Sequence, residues 1–380
     1  MASSEASTSA AAVTDVETQA TIFKRLHPHA YLASFLDAEP SVREDGRSSF
    51  DFRSVDIVTG SISTALGSCT VRLGQTTIVA GVTAEIGRIE SHTYDAEKRK
   101  DRGWIVPSLD LSPICSPRFK SGPPSEEAQV LTSRIINLLD SSNPVDLTTL
   151  SIQEGEASWC LYVDLVCLSY DGGVLDACML AIAGEASWCL YIDLVCLRYD
   201  GGVLDACMLA IAGALSDTTI PAARWDPEEM TVVCSSDAAD RQRLHIRNVP
   251  LVSSFGIYET HLLSDCSAFE SALASSHMAI CLSTTIDERT AAPTLSHLYQ
   301  AGRCACVHKT PKSEVQSLKQ DSNSSSSELK DLQSLLASGK ALPEGHIALD
   351  DERTLELCFL RAKRRYAYLR SLLQAAMSRS

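Results

Sequence analysis

The residues with the clearest capacity for chemistry are aspartates in a strand–turn pattern. Asp193 lies in an apolar run typical of a buried strand, and Asp200 begins an Asp-Gly-Gly turn shortly after it. The same pattern occurs 29 residues earlier, with Asp164 and Asp171 at the corresponding positions. Aspartate often closes a turn by hydrogen bonding to nearby backbone groups. We therefore interpret Asp200 as a turn residue and Asp193 as a partner for a backbone amide.

Three potential metal ligands alternate along one predicted strand. Cys304, Cys306 and His308 would share one strand face, and thiolate and imidazole are the groups that zinc prefers. A structural zinc site needs four ligands, and no fourth is visible nearby in the sequence. Cysteines in strands are also common core residues. The sequence therefore predicts no metal site and no bound cofactor.

A basic cluster lies between residues 88 and 102. Its members are Arg88, Lys98, Arg99, Lys100 and Arg102. Cations grouped in this way can contact RNA phosphates, but they also form ordinary solvated loops, and both interpretations stay open. The glycine-containing segment 60–67 is not a phosphate loop, because no Gly-Lys-Ser/Thr follows it.

The overall charge argues against an RNA-binding module that works alone. The 380 residues contain 33 Lys and Arg against 48 Asp and Glu, a net charge of -15. A free-standing RNA binder is usually basic, because neutralising phosphates supplies most of its affinity. The acidic balance favours local RNA contact, or contact that depends on positive charge from partner proteins.

The chain has the composition of a globular protein from a reducing compartment. Hydrophobic residues make up 45% of it, and the 14 cysteines show no disulfide-scaffold spacing. The first 20 residues lack the basic and apolar regions of a signal peptide. No apolar run reaches the roughly 18 residues that cross a bilayer, so we expect no membrane association.

The order of predicted elements indicates an α+β fold in two halves. Residues 1–20 resemble a disordered tail, and residues 21–220 form a first half with a helix at 21–38, an antiparallel meander and a helix at 125–139. Residues 221–310 form a mostly β second half. Residues 311–347, with four consecutive serines, are predicted to be a flexible insertion before a long helix within 348–380.

The first half contains a near-perfect internal repeat. Residues 155–183 and 184–212 differ only at Val163/Ile192 and Ser169/Arg198. A single pair this similar indicates a recent tandem duplication or, as we favour, an error in the predicted gene. One copy should be surplus. We predict that the second copy occupies the core, because it runs directly into the rest of its helix, and that the first copy is excluded, poorly packed or laid on a sheet edge.

Several motifs resemble the RNase PH family, and they occur in that family's order. Arg43-Glu44-Asp45-Gly46-Arg47 is similar to its Arg-Pro-Asp-Gly-Arg motif, and residues 60–77 are similar to its first hairpin. Residues 122–129 and 190–207 resemble the inactive ring subunits of the eukaryotic RNA exosome in particular. The resemblance implies an RNase PH-like fold, built from ribosomal protein S5 domain 2-like βα halves, with a long C-terminal helix.

The resemblance also implies a lost activity. Active members degrade RNA by phosphorolysis, with a basic pair before the first long helix and a Gly-Gly-Thr-Arg motif. This chain has Glu126 and Glu127 at the first place, and Val203 and Leu204 at the second. The first copy repeats that loss with Val174 and Leu175. Catalytic residues are then absent, and the vestigial positions are Asp164, Asp171, Asp193 and Asp200.

The resemblance implies an architectural role in an exosome ring. The expected partners are other RNase PH-like ring subunits, S1/KH cap proteins and RNA that passes through the ring channel. The expected location is the nucleus, including the nucleolus, and the cytoplasm. Two alternatives remain at this point: an active phosphorolytic 3'-5' exoribonuclease, and a stand-alone RNA-binding module.

Overall fold

The computed structural model describes most of the chain in segments. The described residues are 18–38, 41–88, 104–111, 119–120, 123–153, 157–167, 189–190, 194–198, 200–226, 231–235, 237–259, 261–285, 292–303, 306–308, 340–341 and 347–378. Every structural statement below refers to these residues.

An eight-stranded sheet forms the first half. Its strands are β1 (Val55–Thr59), β2 (Gly67–Leu73), β3 (Thr76–Arg88), β4 (Trp104–Leu111), β5 (Ser151–Gln153), β6 (Ala157–Cys167), β7 (Cys189–Leu190) and β8 (Leu194–Arg198). Their main order is β1-β2-β3-β8-β6-β4. The first three strands are antiparallel, which confirms the predicted meander. Cys69, Val71 and Leu73 are buried on one face, as their alternation predicts.

A four-stranded antiparallel sheet forms the centre of the second half. Its order is β14 (His261–Ser264), β13 (Asn248–Tyr258), β15 (Ser276–Thr285) and β16 (Thr294–Ala301). Smaller pairings surround it. They are β9 (Thr219–Ile220) with β12 (Gln242–Arg243), β10 (Ala223–Asp226) with β11 (Thr231–Cys234), and β19 (Ile347–Leu349) between β17 (Cys306–His308) and β18 (Lys340–Ala341).

Six helices lie in the described part of the chain. They are α1 (18–26), α2 (Pro28–Leu36), α3 (Glu126–Ser142), α4 (Val203–Asp217), α5 (Ala268–Leu273) and α6 (Asp351–Met377). The helix predicted at 21–38 is therefore two helices, divided at His27 because Pro28 starts α2 and has no amide hydrogen to donate. Ser125 and Asp350 cap α3 and α6 through their side chains, which accept from the backbone amides of Ala128 and Arg353.

Helix α4 lies in the hydrophobic core between the two sheets. It contacts β2 and β3 of the first sheet and β13 of the second. All of its residues from Val203 to Leu215 are buried except Leu204, which is half-buried. A helix that is apolar on every face requires such surroundings. Helices α3 and α6 also contact α4. Helix α6 reaches the second sheet through the Tyr366 hydroxyl, which donates to the Val249 carbonyl oxygen at 2.9 Å and lies at hydrogen-bond distance, 2.8 Å, from the Thr284 hydroxyl.

The two repeat copies do not separate as predicted. The second copy supplies the core helix α4, which confirms that part of the prediction. The first copy is not excluded, because its strand β6 lies inside the sheet between β3 and β4. The physical reason is the length of β3. The backbone groups of its second part, Gly81–Arg88, need a partner strand, and the first copy follows β5 directly in the sequence. The side chains of Tyr162, Val174 and Tyr191 lie outside the described set.

The ends of the chain match the predicted organisation only in part. Residues 1–17 and 311–339 lie outside the described set. Within the range predicted as a flexible insertion, β18 and the first residue of β19 form strand pairs, so its last part is more regular than predicted. Helix α6 agrees with the predicted C-terminal helix. Among the described helices, none combines the length and apolar content needed to span a bilayer.

Candidate functional site at the junction between the two halves

A tight turn leads into α4 and packs against the second half. Gly201 and Gly202 both adopt left-handed backbone conformations, with φ values of 76° and 64°. A Cβ atom at Gly201 would lie 2.3 Å from the carbonyl oxygen of Cys266 and 2.8 Å from the backbone nitrogen of Ala268. Only glycine fits this contact, because the obstructing atoms are backbone. The turn therefore fixes the start of α4 against the segment after β14.

Arg53 holds the turn through its guanidinium group. Nη2 donates to the carbonyl oxygen of Gly201 at 2.9 Å, and Nη1 donates to the carbonyl oxygen of Asp200. The Asp200 carboxylate lies 3.7 Å from Nη1. Thr76 closes the other side: its hydroxyl donates to the Gly201 carbonyl at 2.9 Å and accepts from the Asp200 amide at 2.8 Å. Asp200 is thus held within the turn by both its backbone and its side chain.

Asp265 completes the cluster from the second half. Arg53 Nε donates to Asp265 Oδ2 at 3.0 Å and Nη2 donates to Oδ1 at 2.5 Å, while the Arg53 backbone amide donates to Oδ2 at 3.1 Å. The two side chains are 5% and 1% exposed. Burial alone would raise the pKa of Asp265, but the charge and hydrogen bonds of Arg53 outweigh it and hold that pKa well below its usual range. We call Asp200, Gly201, Gly202, Arg53 and Asp265 the junction cluster.

The motif at residues 43–47 ties the N-terminal segment to the same region. Arg43 is buried and donates from Nε to Glu270 Oε1 at 2.6 Å and from Nη1 to the Ser264 carbonyl at 2.7 Å. Arg47 donates from Nε to the Asp45 carboxylate at 2.5 Å and from Nη1 to the Asp51 carbonyl at 2.9 Å. These two guanidinium groups therefore bind protein atoms and have a structural role.

Asp205 is a buried carboxyl group beside the junction cluster. Its Oδ2 accepts from the backbone amide of Ser254 at 2.9 Å and from the Ser254 hydroxyl at 3.0 Å. Its Oδ1 has no hydrogen-bond partner among the described residues. Burial raises the pKa of Asp205 to about 7, with a further contribution from the negative charge of Asp265, while Ser254 and Arg365 oppose the shift. The carboxyl group joins α4 to β13 at an electrostatic cost.

The starts of α3 and α4 are the places where an active family member would be expected to bind phosphate with basic residues. Their described residues contain no arginine. At the start of α3, Ser125 accepts from the Ala128 amide at 3.2 Å, and Glu126 and Glu127 occupy the first turn. At the start of α4, Val203 is buried and Leu204 packs against the core. Carboxylates favour a helix N-terminus electrostatically, but they repel a second anion there. Within the part of the chain that the structure describes, residues 125–128 at the start of α3 and residues 202–205 at the start of α4 include no Lys or Arg.

The other predicted site residues are only partly within the described set. Asp164 lies in β6, where its backbone pairs with Gly81 and Ser108, and Arg88 is the last residue of β3. Cys306 and His308 lie in β17, opposite Leu349 and Ile347 of β19. The remaining ones lie outside the described residues: Asp171, Asp193, Lys98, Arg99, Lys100, Arg102 and Cys304. In the part of the chain that the structure describes, no three His, Cys, Asp or Glu side chains group as a metal site.

The sequence interpretation missed the residues that organise the junction. Arg53 and Asp265 are 212 positions apart, so a single sequence gives no sign that they pair. Asp205 did carry a signal, since it is the one charged residue between Val203 and Leu215 in an otherwise apolar helix. A charge in such a helix indicates a specific buried partner, and here the partner is Ser254.

The fold and the junction define an α+β protein with two sheets around a central buried helix. Residues 51–184 match the RNase_PH profile, described as the 3' exoribonuclease family, domain 1. The exosome complex component rrp43 of Schizosaccharomyces pombe is 32% identical over 267 residues, which cover 70% of this chain and 84% of that protein. The exosome complex component Rrp42 of Methanothermobacter thermautotrophicus is 30% identical over 238 residues, covering 63% and 73%.

A solved structure shares the fold. It is described as the Archaeoglobus fulgidus exosome with RNA bound to the active site. The matching chain of that structure is 27% identical to this chain, with a TM-score of 0.53. The match covers 72% of this chain and 86% of that chain. This chain belongs to the RNase PH family. The profile match ends at residue 184, one residue after the end of the first repeat copy, whereas the structure takes the core helix from the second copy.

Proposed function

We propose that this chain is a non-catalytic structural subunit of the core ring of an RNA exosome, supporting 3'-5' RNA processing and degradation, including rRNA maturation and mRNA turnover. The observation that carries the proposal is the 32% identity that spans 84% of rrp43, a protein named as an exosome complex component. Similarity along nearly the whole relative supports a shared place in an assembly, rather than a shared fragment.

The electrostatics of the two helix starts support the loss of catalysis. Phosphorolysis brings inorganic phosphate and an RNA phosphodiester together, so the site must hold two anions with cations. At an effective dielectric constant of about 20, a carboxylate about 4 Å from a phosphate charge contributes roughly 4 kcal/mol of repulsion. Glu126 and Glu127 place negative charges where phosphate binding needs positive ones, and Leu204 stands where the active pattern has an arginine guanidinium group. Asp164, Asp171, Asp193 and Asp200 remain as vestigial positions.

The charge distribution supports a role that depends on partners. With a net charge of -15, the chain repels RNA overall, so its basic cluster, Arg88, Lys98, Arg99, Lys100 and Arg102, acts locally at the ring channel in this proposal. Other RNase PH-like subunits and S1/KH cap proteins would supply the remaining contacts. The corresponding locations are the nucleus, including the nucleolus, and the cytoplasm.

A phosphorolysis assay tests the proposal. The purified chain is incubated with poly(A) and inorganic phosphate, and nucleoside diphosphate release is measured beside an active RNase PH as positive control. We expect no phosphate-dependent release. The variant Glu126→Arg/Glu127→Arg/Leu204→Arg should also be inactive, because catalysis needs accurate placement by surrounding residues as well as the correct charges.

Two outcomes would contradict the proposal. Phosphate-dependent release by the wild-type chain would make it an active exoribonuclease. Filter binding of the isolated chain to RNA with a steep salt dependence would make it an independent RNA-binding module, whereas weak and nearly flat binding agrees with a role inside a ring.

A further inference from the structure

An extended segment in front of β13 carries a row of exposed basic side chains. Residues 241–247 read Arg-Gln-Arg-Leu-His-Ile-Arg and include no acidic residue. Leu244 is buried and Ile246 packs against the hydrophobic core, so the alternate positions face outward. The exposed basic side chains are Arg241, Arg243, His245 and Arg247. We call these four residues the arginine stripe.

The backbone of the arginine stripe is held from both sides. On one side β12 pairs with β9, and the Leu244 amide donates to the Thr218 carbonyl oxygen at 3.1 Å. On the other side the Arg247 amide donates to the Pro144 carbonyl oxygen at 2.7 Å. The backbone that carries the four basic side chains is therefore already ordered, which lowers the entropic cost of binding a ligand to them.

The acidic residues near the arginine stripe have other hydrogen-bond donors. Asp146 accepts from the Thr148 hydroxyl at 2.7 Å, and this bond is the main reason that its pKa is lowered, with smaller contributions from Arg247 and His245. Asp240 accepts from the Ser235 hydroxyl at 2.7 Å. Within the described ranges, none of the three arginines of the stripe forms a salt bridge or a side-chain hydrogen bond. Their guanidinium groups are therefore available to an external anion.

The arginine stripe is remote from the helix starts discussed above. It lies beside Thr218, which follows the last residue of α4, and beside Pro144, which follows the C-cap of α3. Helix α4 has 15 residues and α3 has 17, so their starts are about 22 and 25 Å away along the helix axes. An anion on the stripe would occupy a different site from the vestigial phosphate position.

We propose that the arginine stripe binds the phosphate backbone of single-stranded RNA, an inference that rests on the proposed role in an RNA exosome. Guanidinium groups donate paired hydrogen bonds to phosphate oxygens. The six residue steps from Arg241 to Arg247 span about 20 Å in an extended chain, so the cations form one line that can follow one strand.

The composition of the segment favours RNA over an acidic protein partner. The centre of a protein–protein interface is usually apolar and rich in aromatic residues. Residues 241–247 expose no apolar side chain, because Leu244 and Ile246 face the core. Interfaces with nucleic acids are more polar and much more positively charged, which matches three arginines and a histidine in seven residues.

Removal of three charges in an assembled ring tests the proposal. The stripe variant is Arg241→Gln/Arg243→Gln/Arg247→Gln. The control variant removes three exposed arginines from other elements and is Arg25→Gln/Arg72→Gln/Arg303→Gln. Each full-length chain is assembled with RNase PH-like subunits of its own organism, and native mass spectrometry establishes that the ring has formed. Binding of fluorescein-labelled oligouridine is then measured by anisotropy over a range of salt concentrations.

We expect the stripe variant to bind RNA more weakly and with a shallower salt dependence. For single strands the slope of log affinity against log salt is about −0.7 for each phosphate contact, so three lost contacts should reduce its magnitude by about 2. The control variant should keep the wild-type slope, although its net charge changes by the same amount. The corresponding triple Arg→Lys variant should also keep the slope, because the charges remain.

Three outcomes would overturn RNA binding by the stripe. One is an unchanged slope in the stripe variant, or an equal reduction in the stripe and control variants. Another is a stripe variant that stays outside a ring that the control variant enters, which would assign the stripe to an acidic protein neighbour. The third is a wild-type chain that never enters a ring. It contradicts the proposed function as well, and it is seen by mass spectrometry before any RNA is added.

Discussion

The junction cluster and strand β6 both use residues from the duplicated sequence, but different interactions specify them. The turn at Asp200–Gly202 is held by residues outside the repeat, Arg53, Thr76 and Asp265, and by close contact with the backbone at Cys266. The described contacts of β6 are backbone pairs with β3 and β4, which any strand of the correct register can satisfy. Where distant side chains contact a duplicated sequence, they determine which copy occupies that place. Backbone pairing along a strand edge discriminates less strictly between the two copies.

Removing Arg53 should produce the largest effect, because it removes the side-chain contacts that distinguish the junction cluster from strand β6. Arg53→Ala removes the guanidinium hydrogen bonds of the buried Asp265 carboxylate and the donor to the Gly201 carbonyl, and leaves Arg47, at 4.0 Å, as a more distant cation. Breaking a buried ion pair from one side typically costs about 3–5 kcal/mol. Urea denaturation should show a loss of that size.

Arg224→Ala is the matched control, because Arg224 is exposed on β10. It should change stability by less than about 0.5 kcal/mol. Equal effects at the two arginines would show that the junction cluster does not hold the halves together.

Methionines at equivalent positions of the two repeat copies test which copy supplies the core helix. Met208 of α4 is 0% exposed, and Met179 is its counterpart in the first copy. Met208→Ala should destabilise the chain by about 2–5 kcal/mol, since it leaves a cavity in the core. Met179→Ala should cost less than about 0.5 kcal/mol, measured by the same denaturation. A reversed order would mean that the first copy supplies the core helix.

The pH dependence of stability tests the buried carboxyl group beside the junction, with a smaller expected effect. The pKa of Asp205 is raised to about 7 in the folded chain, against about 3.9 when unfolded. Between these values the folded state binds more protons, so this group makes the free energy of unfolding fall as the pH rises from about 4 to 7.

Asp205→Asn should remove that decline, which amounts to about 1–3 kcal/mol, and make the mutant relatively more stable at pH 7.5 than at pH 5. Asp265 acts in a separate window: its pKa is lowered, so its stabilisation is complete above about pH 4 and is lost only below it. Parallel pH profiles for the wild type and Asp205→Asn would show that Asp205 does not titrate in this range.

Local signals in the sequence predicted much of the fold but little of the junction. The meander, the Ser125 and Asp350 caps and the apolar stripe of α6 follow from periodicity and capping residues, and all are present. The Arg53–Asp265 pair joins distant segments, and the use of β6 depends on the unpaired length of β3. Such features require knowledge of which segments meet in three dimensions.

Native mass spectrometry of the full-length chain, mixed with RNase PH-like subunits of its own organism, tests the proposed architectural role most directly. We expect the chain to be poorly soluble alone, because unpaired sheet edges promote association, and to enter a hetero-hexameric ring as one copy. A monodisperse monomer that stays outside such a ring would contradict the proposal.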